Sequence, residues 1–119
     1  MRWTDIVERR SGDAVILDVR GTMTLSVPPG GLASLLNRLV QQGDCNIIVN
    51  LRQVSYIDSQ GLADLIDGFR IARDAGGALK LCQVAKGIQE LLTVTKLATF
   101  IQAFDSEEEA LNSFRSAGP

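Results

Sequence analysis

Histidine is absent from the 119 residues. With it go the proton relays of Ser-His-Asp and Cys-His catalysis and the mixed ligand set that zinc favours. The two cysteines, Cys45 and Cys82, have no Cys-x-x-Cys spacing and sit in β-rich, largely apolar stretches. Both read as small core hydrophobes rather than a secreted disulfide framework. Apolar runs such as Ile47-Ile48-Val49 are far too short to span a membrane, and Met1-Arg2-Trp3-Thr4-Asp5 has no apolar signal core. The expected location is cytoplasmic, with no direct membrane insertion. Lys and Arg occur singly or in small pairs, within a charged fraction of 22% and a formal net charge of -2. Nucleic acid is not an expected partner, because affinity for its phosphate backbone needs clustered cations.

What is present is an alternation of strand and helix periods. The segments from about Thr4 to Arg9 and Ala14 to Arg20 read as strands joined by the turn Ser11-Gly12-Asp13, hence as a hairpin. Beyond Gly21, residues 22–27 could hold a further extended piece before the loop Pro28-Pro29-Gly30-Gly31. Leu32, Leu35, Leu36, Leu39 and Val40 then recur at helical spacing up to Gly43. A short β-rich run, Cys45 to Leu51, leads through the polar step Arg52-Gln53 and the apolar-aromatic Val54-Ser55-Tyr56-Ile57 into a helix predicted from about Ser59 to Ala75. That helix places Leu62, Leu65, Ile66 and Phe69 on one face. A strand over Ala78 to Val84, a short helix around Ile88, Leu91 and Leu92, and a strand over Thr99 to Phe104 follow. The closing helix begins with the capping box Ser106-x-x-Glu109. A hairpin followed by strand-helix alternation predicts an α/β single domain over 1–116, with helices packed on a small mixed, mostly parallel sheet and a loose tail at 117–119.

The chemistry concentrates at Asp58-Ser59-Gln60-Gly61-Leu62, where extended chain turns into helix. Asp and Ser are both favoured N-caps, because a short side-chain oxygen can accept from the unpaired N-H groups of the first turn. A phosphate placed there would meet the same N-H groups and the positive end of the helix dipole. Competing chemistries have little behind them. There is no Gly-x-Gly-x-x-Gly and no Gly-rich loop ending in Lys-Ser/Thr. A magnesium-dependent phosphoacceptor needs several carboxylates at strand ends, and the middle strand offers Asn50. No cofactor and no metal is expected. A nucleophile elbow at Ser59 would lack a base unless Lys86 or Lys96 folded in from elsewhere.

The run from Ile47 to Ile66, with Asp58-Ser59-x-Gly61-Leu62 as its most specific part, resembles the STAS domain of anti-sigma-factor antagonists and of the cytoplasmic tails of sulfate transporters. The likeness extends from the opening hairpin, with Gly21 after its second strand, through Gly76-Gly77 to the closing helix. In the antagonist branch the serine directly after the aspartate is the phosphorylation site, and here that position is Ser59. The resemblance implies a binding module that itself catalyses nothing. Unphosphorylated, it would bind an anti-sigma-factor serine kinase and free the sigma factor. The kinase, with ATP and magnesium, would phosphorylate Ser59 and end the contact, and a serine phosphatase would restore it. Asp58, Ser59, Gln60, Gly61 and Thr24 are the partner-binding residues it implies. Gln60 stands where antagonists often have a small or hydroxylic residue, and the stretch Gly21-Thr22-Met23-Thr24 lacks the acidic residue often found there. The alternative within the same family is a non-switching scaffold or subunit of a stressosome-like or lipid-transport complex, in which Ser59 is only a cap.

Overall fold

The change of hydrophobic period along the chain is followed by the change of element. In a computed structural model, which describes residues 5–23 and 31–116, Asp5–Ser11 (β1) and Ala14–Met23 (β2) pair antiparallel around Gly12 and Asp13. Gly31–Gln41 (α1), Asn46–Ile57 (β3), Ser59–Asp74 (α2), Ala78–Cys82 (β4) and Lys86–Val94 (α3) follow. A single 3-10 turn at Leu97–Thr99, the two-residue strand Ala103–Phe104 (β5) and Glu107–Ser116 (α4) complete the order. The five strands lie in the order β1-β2-β3-β4-β5, and every pairing after the hairpin is parallel. This is the mixed, mostly parallel sheet expected. Thr24, most of the Pro-Gly loop and the tail at 117–119 lie outside the described residues.

Alternation along the strands sends side chains to two apolar layers. Val15, Leu17 and Val19 of β2, Ile47, Val49 and Leu51 of β3, and Leu79 and Leu81 of β4 bury with Leu32, Leu36, Leu39, Leu65 and Ile88 from α1, α2 and α3. On the opposite face Ala14, Ile16, Ile48 and Cys82 meet Ala110 of α4, with Phe104, Leu111 and Phe114 at the margin. Each fully buried Leu or Ile contributes roughly 1.5–3 kcal/mol, so the larger layer fixes the fold. Lys80, which alternates with Leu79 and Leu81 along β4, is buried under α4. Its ammonium donates to Ser113 Oγ at 2.8 Å and stands 4.3 Å from the centre of the Phe114 ring.

Three expectations need correction. The short strand ending near Leu51 is in fact the first part of a 12-residue strand that runs through Arg52-Gln53 to Ile57. Asp18 pairs with Asn50 but Arg20 with Gln53, and Gly21 pairs with Val54 but Thr22 with Tyr56. Each interval uses one more residue on β3 than on β2, the signature of a β-bulge. As a result Leu51, Val54 and Ile57 face the core at a spacing of three, while Arg52, Gln53, Ser55 and Tyr56 are exposed in pairs. Gly21 accommodates the second bulge at φ +102, a region open chiefly to glycine, and its carbonyl accepts from Ser55 Oγ at 3.3 Å. Secondly, most of the strand expected over Thr99 to Phe104 is the 3-10 turn and its exit, and pairing is confined to β5. Thirdly, Cys82 is buried as expected, but Cys45 is only half-buried.

Gly76-Gly77 does more than end α2. A Cβ on Gly77 would lie 1.9 Å from the carbonyl oxygen of Cys45. That same oxygen accepts from the Ala78 N-H at 3.0 Å, which starts the β3-β4 pairing. The absence of a side chain at Gly77 therefore sets how closely the two strands can begin.

Candidate functional site

Residue 58 is the last extended residue before α2, with φ -107 and ψ -170. This backbone shape turns its short side chain onto the helix end it introduces. Asp58 Oδ1 accepts from the N-H of Gln60 at 2.9 Å and from that of Gly61 at 3.0 Å. The Asp58 carbonyl accepts the first intrahelical bond, from Leu62 N-H at 3.0 Å. Asp58 alone is thus the cap. Ser59, the first residue of α2, is exposed, and its hydroxyl makes no hydrogen bond among the described residues. The sequence left both residues as cap candidates, and the geometry separates them.

The same bonds correct the expectation about phosphate. The N-H groups of Gln60 and Gly61 are already taken by the Asp58 carboxylate. An anion on Ser59 would have to displace that carboxylate or lie beside it. Gln60 is exposed next to Ser59, whereas Gly61 is buried and forms a stripe with Leu65, Gly68 and Ala72. That stripe, rather than the expected Leu62, Ile66 and Phe69, is the fully buried line of α2, the other three being half-buried. Gly61 is buried behind Gln60, and the close packing of α2 is made further along at Gly68, where an added Cβ would lie 3.1 Å from Leu79 Cδ1 and 3.3 Å from Leu32 Cδ2.

Two further residues belong to this surface. Tyr56 is 56% exposed, turned outward by the second bulge. The register shift that exposes it has only Gly21 as a sequence signal. Asp64, one turn beyond Gly61, accepts from the backbone N-H of Leu32 and so joins α2 to the start of α1. Burial first, then the charges of Asp67 and Asp58, hold the Asp64 carboxyl above the usual range, although the Leu32 bond pulls it down. Three carboxylates, Asp58, Asp64 and Asp67, thus lie along the start of α2.

Asp58, Ser59, Gln60 and Gly61 are brought together on one turn. Thr24 lies outside the described residues, but Thr22 and Met23 pair with Tyr56 and Ile57, so the end of β2 runs beside the approach to the site. Lys86 opens α3 and Lys96 follows it, and neither ammonium hydrogen-bonds to any group among the described residues. Among the described residues no basic side chain hydrogen-bonds to the Ser59 hydroxyl. Among the described residues no helix is long and apolar enough to cross a membrane.

Comparison with known proteins agrees with this architecture. Residues 5–110 match the STAS domain family. The anti-sigma F factor antagonist of Paenibacillus polymyxa is 25% identical over 77 residues, 64% of this chain and 66% of that protein, so the matched segment spans just under two thirds of the relative. The crystal structure of an anti-sigma factor antagonist from Mycobacterium paratuberculosis superposes with a TM-score of 0.81 at 15% identity, covering 94% of both chains. The Bacillus cell fate determinant SpoIIAA in its phosphorylated form superposes with a TM-score of 0.68 at 17% identity, covering 92% of this chain and 98% of that one. At these identities the structures share the fold. The chain belongs to the STAS domain family.

Proposed function

We propose that this protein is an anti-sigma-factor antagonist whose contact with an anti-sigma-factor serine kinase is switched off by phosphorylation of Ser59 and restored by a phosphatase. The observation that carries the reading is the division of labour at the junction. Asp58 holds the helix end, and the Ser59 hydroxyl is exposed and free of structural duty. A kinase can take such a hydroxyl without first breaking a cap. The name of the Paenibacillus relative and the phosphorylated form of the Bacillus protein support the same reading.

A phosphate would add roughly -1.5 to -2 charge at pH 7. It would do so beside Asp58 and within the field of Asp64 and Asp67, on a surface that also carries Tyr56 and Gln60. A partner packed over this turn would meet new bulk, repulsion and a desolvation cost, while the core behind Gly61 and Leu65 is untouched. Binding is lost without unfolding. The protein acts here as a binding surface, and the phosphoryl transfer is the kinase's.

The test is incubation of the protein with each serine kinase encoded beside its gene, ATP and magnesium, followed by mass spectrometric mapping. Phosphate on Ser59 is expected, and its absence with every such kinase would sink the reading. Ser59→Ala should abolish labelling and keep kinase binding. Ser59→Asp should weaken binding by about tenfold or more, the equivalent of about 1.4 kcal/mol, with little change in Tm. A Ser59→Asp protein that binds like the wild type while Ser59 takes no phosphate would point to a non-switching scaffold.

A further inference from the structure

The face of the sheet covered by α4 changes character along its length. Ile16 and Ile48 lie under the helix, and two residues further along the same strands and on the same face stand Asp18 and Asn50. Beyond these come Arg20, Arg52 and Gln53, where α4 no longer covers the sheet. The uncovered part is a cavity of about 290 Å³ whose wall is built by Arg9, Asp18, Arg20, Asn50, Arg52, Gln53, Gln83 and Glu107. It lies over the middle of β2 and β3 and just beyond the carboxyl end of β4.

The hydrogen bonding inside this cavity is one-sided. The carboxylates of Asp18 and Glu107 both accept from Arg9, at 2.9 and 2.7 Å to its Nη2. Asn50 Oδ1 accepts from the Arg52 N-H at 2.9 Å, and Gln83 Oε1 accepts from Asn50 Nδ2 at 2.9 Å. The acceptors are engaged. What is left facing the cavity is donors: among the described residues, the Arg52 guanidinium and the side-chain NH2 groups of Gln53 and Gln83 have no acceptor. Gln83 is also held at φ +55, an uncommon conformation for a residue with a side chain, with its N-H donating to Phe104 at 3.0 Å. That backbone shape places its amide against Asn50 on the cavity wall.

We infer that this cavity binds a small metabolite through a phosphate or carboxylate group, held by the Arg52 guanidinium and the amide donors of Gln53 and Gln83, with the Arg9-Asp18-Glu107 cluster as its rigid back wall. The volume suits a ligand of about the size of a sugar phosphate, at the lower end of small-molecule pockets. A guanidinium suits a planar or tetrahedral oxyanion because its fork can donate two parallel bonds. The site is separate from Ser59 and does not depend on its phosphorylation.

The test is an NMR titration of the whole protein with inorganic phosphate, ribose 5-phosphate and succinate, following the side-chain amides of Asn50, Gln53 and Gln83 and the Arg52 Nε-H. Saturable shifts at these groups with the two phosphates alone identify a phosphate site, and saturation with succinate as well identifies a general oxyanion site. Arg52→Ala should weaken the binding by about tenfold or more, as expected for a lost charge-assisted bond. Arg52→Lys should recover part of it, and Lys86→Ala, on α3, should leave it unchanged. Shifts that fail to saturate with all three probes, or an Arg52→Ala protein that binds like the wild type, would overturn the assignment.

Discussion

The Asp58 carboxylate accepts a hydrogen bond from the backbone N-H of Gly61 at 3.0 Å, closing the first turn of α2 across Ser59 without using the Ser59 hydroxyl. Removing the two side chains should therefore have unequal effects. Asp58→Ala should cost about 0.5–2 kcal/mol, the usual loss for an N-cap, and lower Tm by a few degrees. Ser59→Ala should stay within about 0.5 kcal/mol of the wild type, as for an exposed position. Chemical denaturation of the two variants side by side checks this, and equal losses would return Ser59 to a structural role.

Asp64 gives the stability a pH signature. Its carboxyl is held above the usual range by burial and by Asp67 and Asp58. The folded protein thus binds its proton more tightly than the unfolded chain does. The sign follows from linkage: this group favours folding when protonated, and that contribution fades as pH rises through its folded value. At neutral pH the ionised carboxylate is a cost. Asp64→Asn keeps an oxygen for the Leu32 N-H and removes the charge. It should raise Tm at pH 7, and the gain should shrink as pH falls toward the ordinary aspartate range near 4. Thermal melts of both proteins across that range measure the difference.

Two glycine substitutions should have opposite signs. A methyl group on Gly77 would meet the Cys45 carbonyl oxygen at 1.9 Å, so Gly77→Ala must displace backbone at the start of β4 and should cost about 2 kcal/mol or more. Gly87, in the first turn of α3, has nothing within 4 Å of the same added atom. Gly87→Ala should stabilise by about 0.4–1 kcal/mol, through a less flexible unfolded chain and better helix propensity. Denaturation midpoints read both.

The cysteines should differ in reactivity. Burial pushes the Cys82 thiol up to about 12, with the nearby carboxylates of Glu107 and Asp18 adding to the effect. At pH 8 only about one molecule in ten thousand would carry the thiolate, the form that reacts. Iodoacetamide under native conditions should label half-buried Cys45 first and leave Cys82 until the protein is unfolded, as peptide mapping would show.

Much of the fold was legible because strand and helix periods are strong signals when the buried faces are rich in Leu, Ile and Val, as at Leu32, Leu36 and Leu39 or Val15 and Leu17. The junction was legible for the same reason: Asp and Ser before a helical period mark a helix start. Which of the two caps was not, since Asp58 and Ser59 differ only in backbone shape, and that shape comes from the path of β3. The bulges hid in the sequence because Arg52-Gln53 looks like a break when strands are assumed to alternate strictly. The burial of Lys80 was not legible, because its cover comes from a helix that starts 27 residues later in the chain. The cavity residues come from four separate stretches of the chain, around Arg9, Asp18-Arg20, Asn50-Gln53 and Gln83, plus Glu107 of α4, which only the sheet brings together.

The two extra residues in β3 also act as a phase adjustment. Strict alternation from Leu51 would bury residues 53, 55 and 57, namely Gln53, Ser55 and Ile57. The bulges instead bury Val54 and deliver Ile57 to the same layer two positions later in step. Deleting one residue of a pair, Arg52 or Gln53, would remove the first bulge and leave Val54 and Ile57 facing the core, because the extra residue has no counterpart on β2. Deleting one from each bulge would give strict alternation from Leu51 through Val54 to Ile57 over the same length of β2. The bulges thus add the exposed pairs Arg52-Gln53 and Ser55-Tyr56 to the surface before the serine without lengthening the strand, and deleting them offers a way to strip that surface without altering a single residue of the turn.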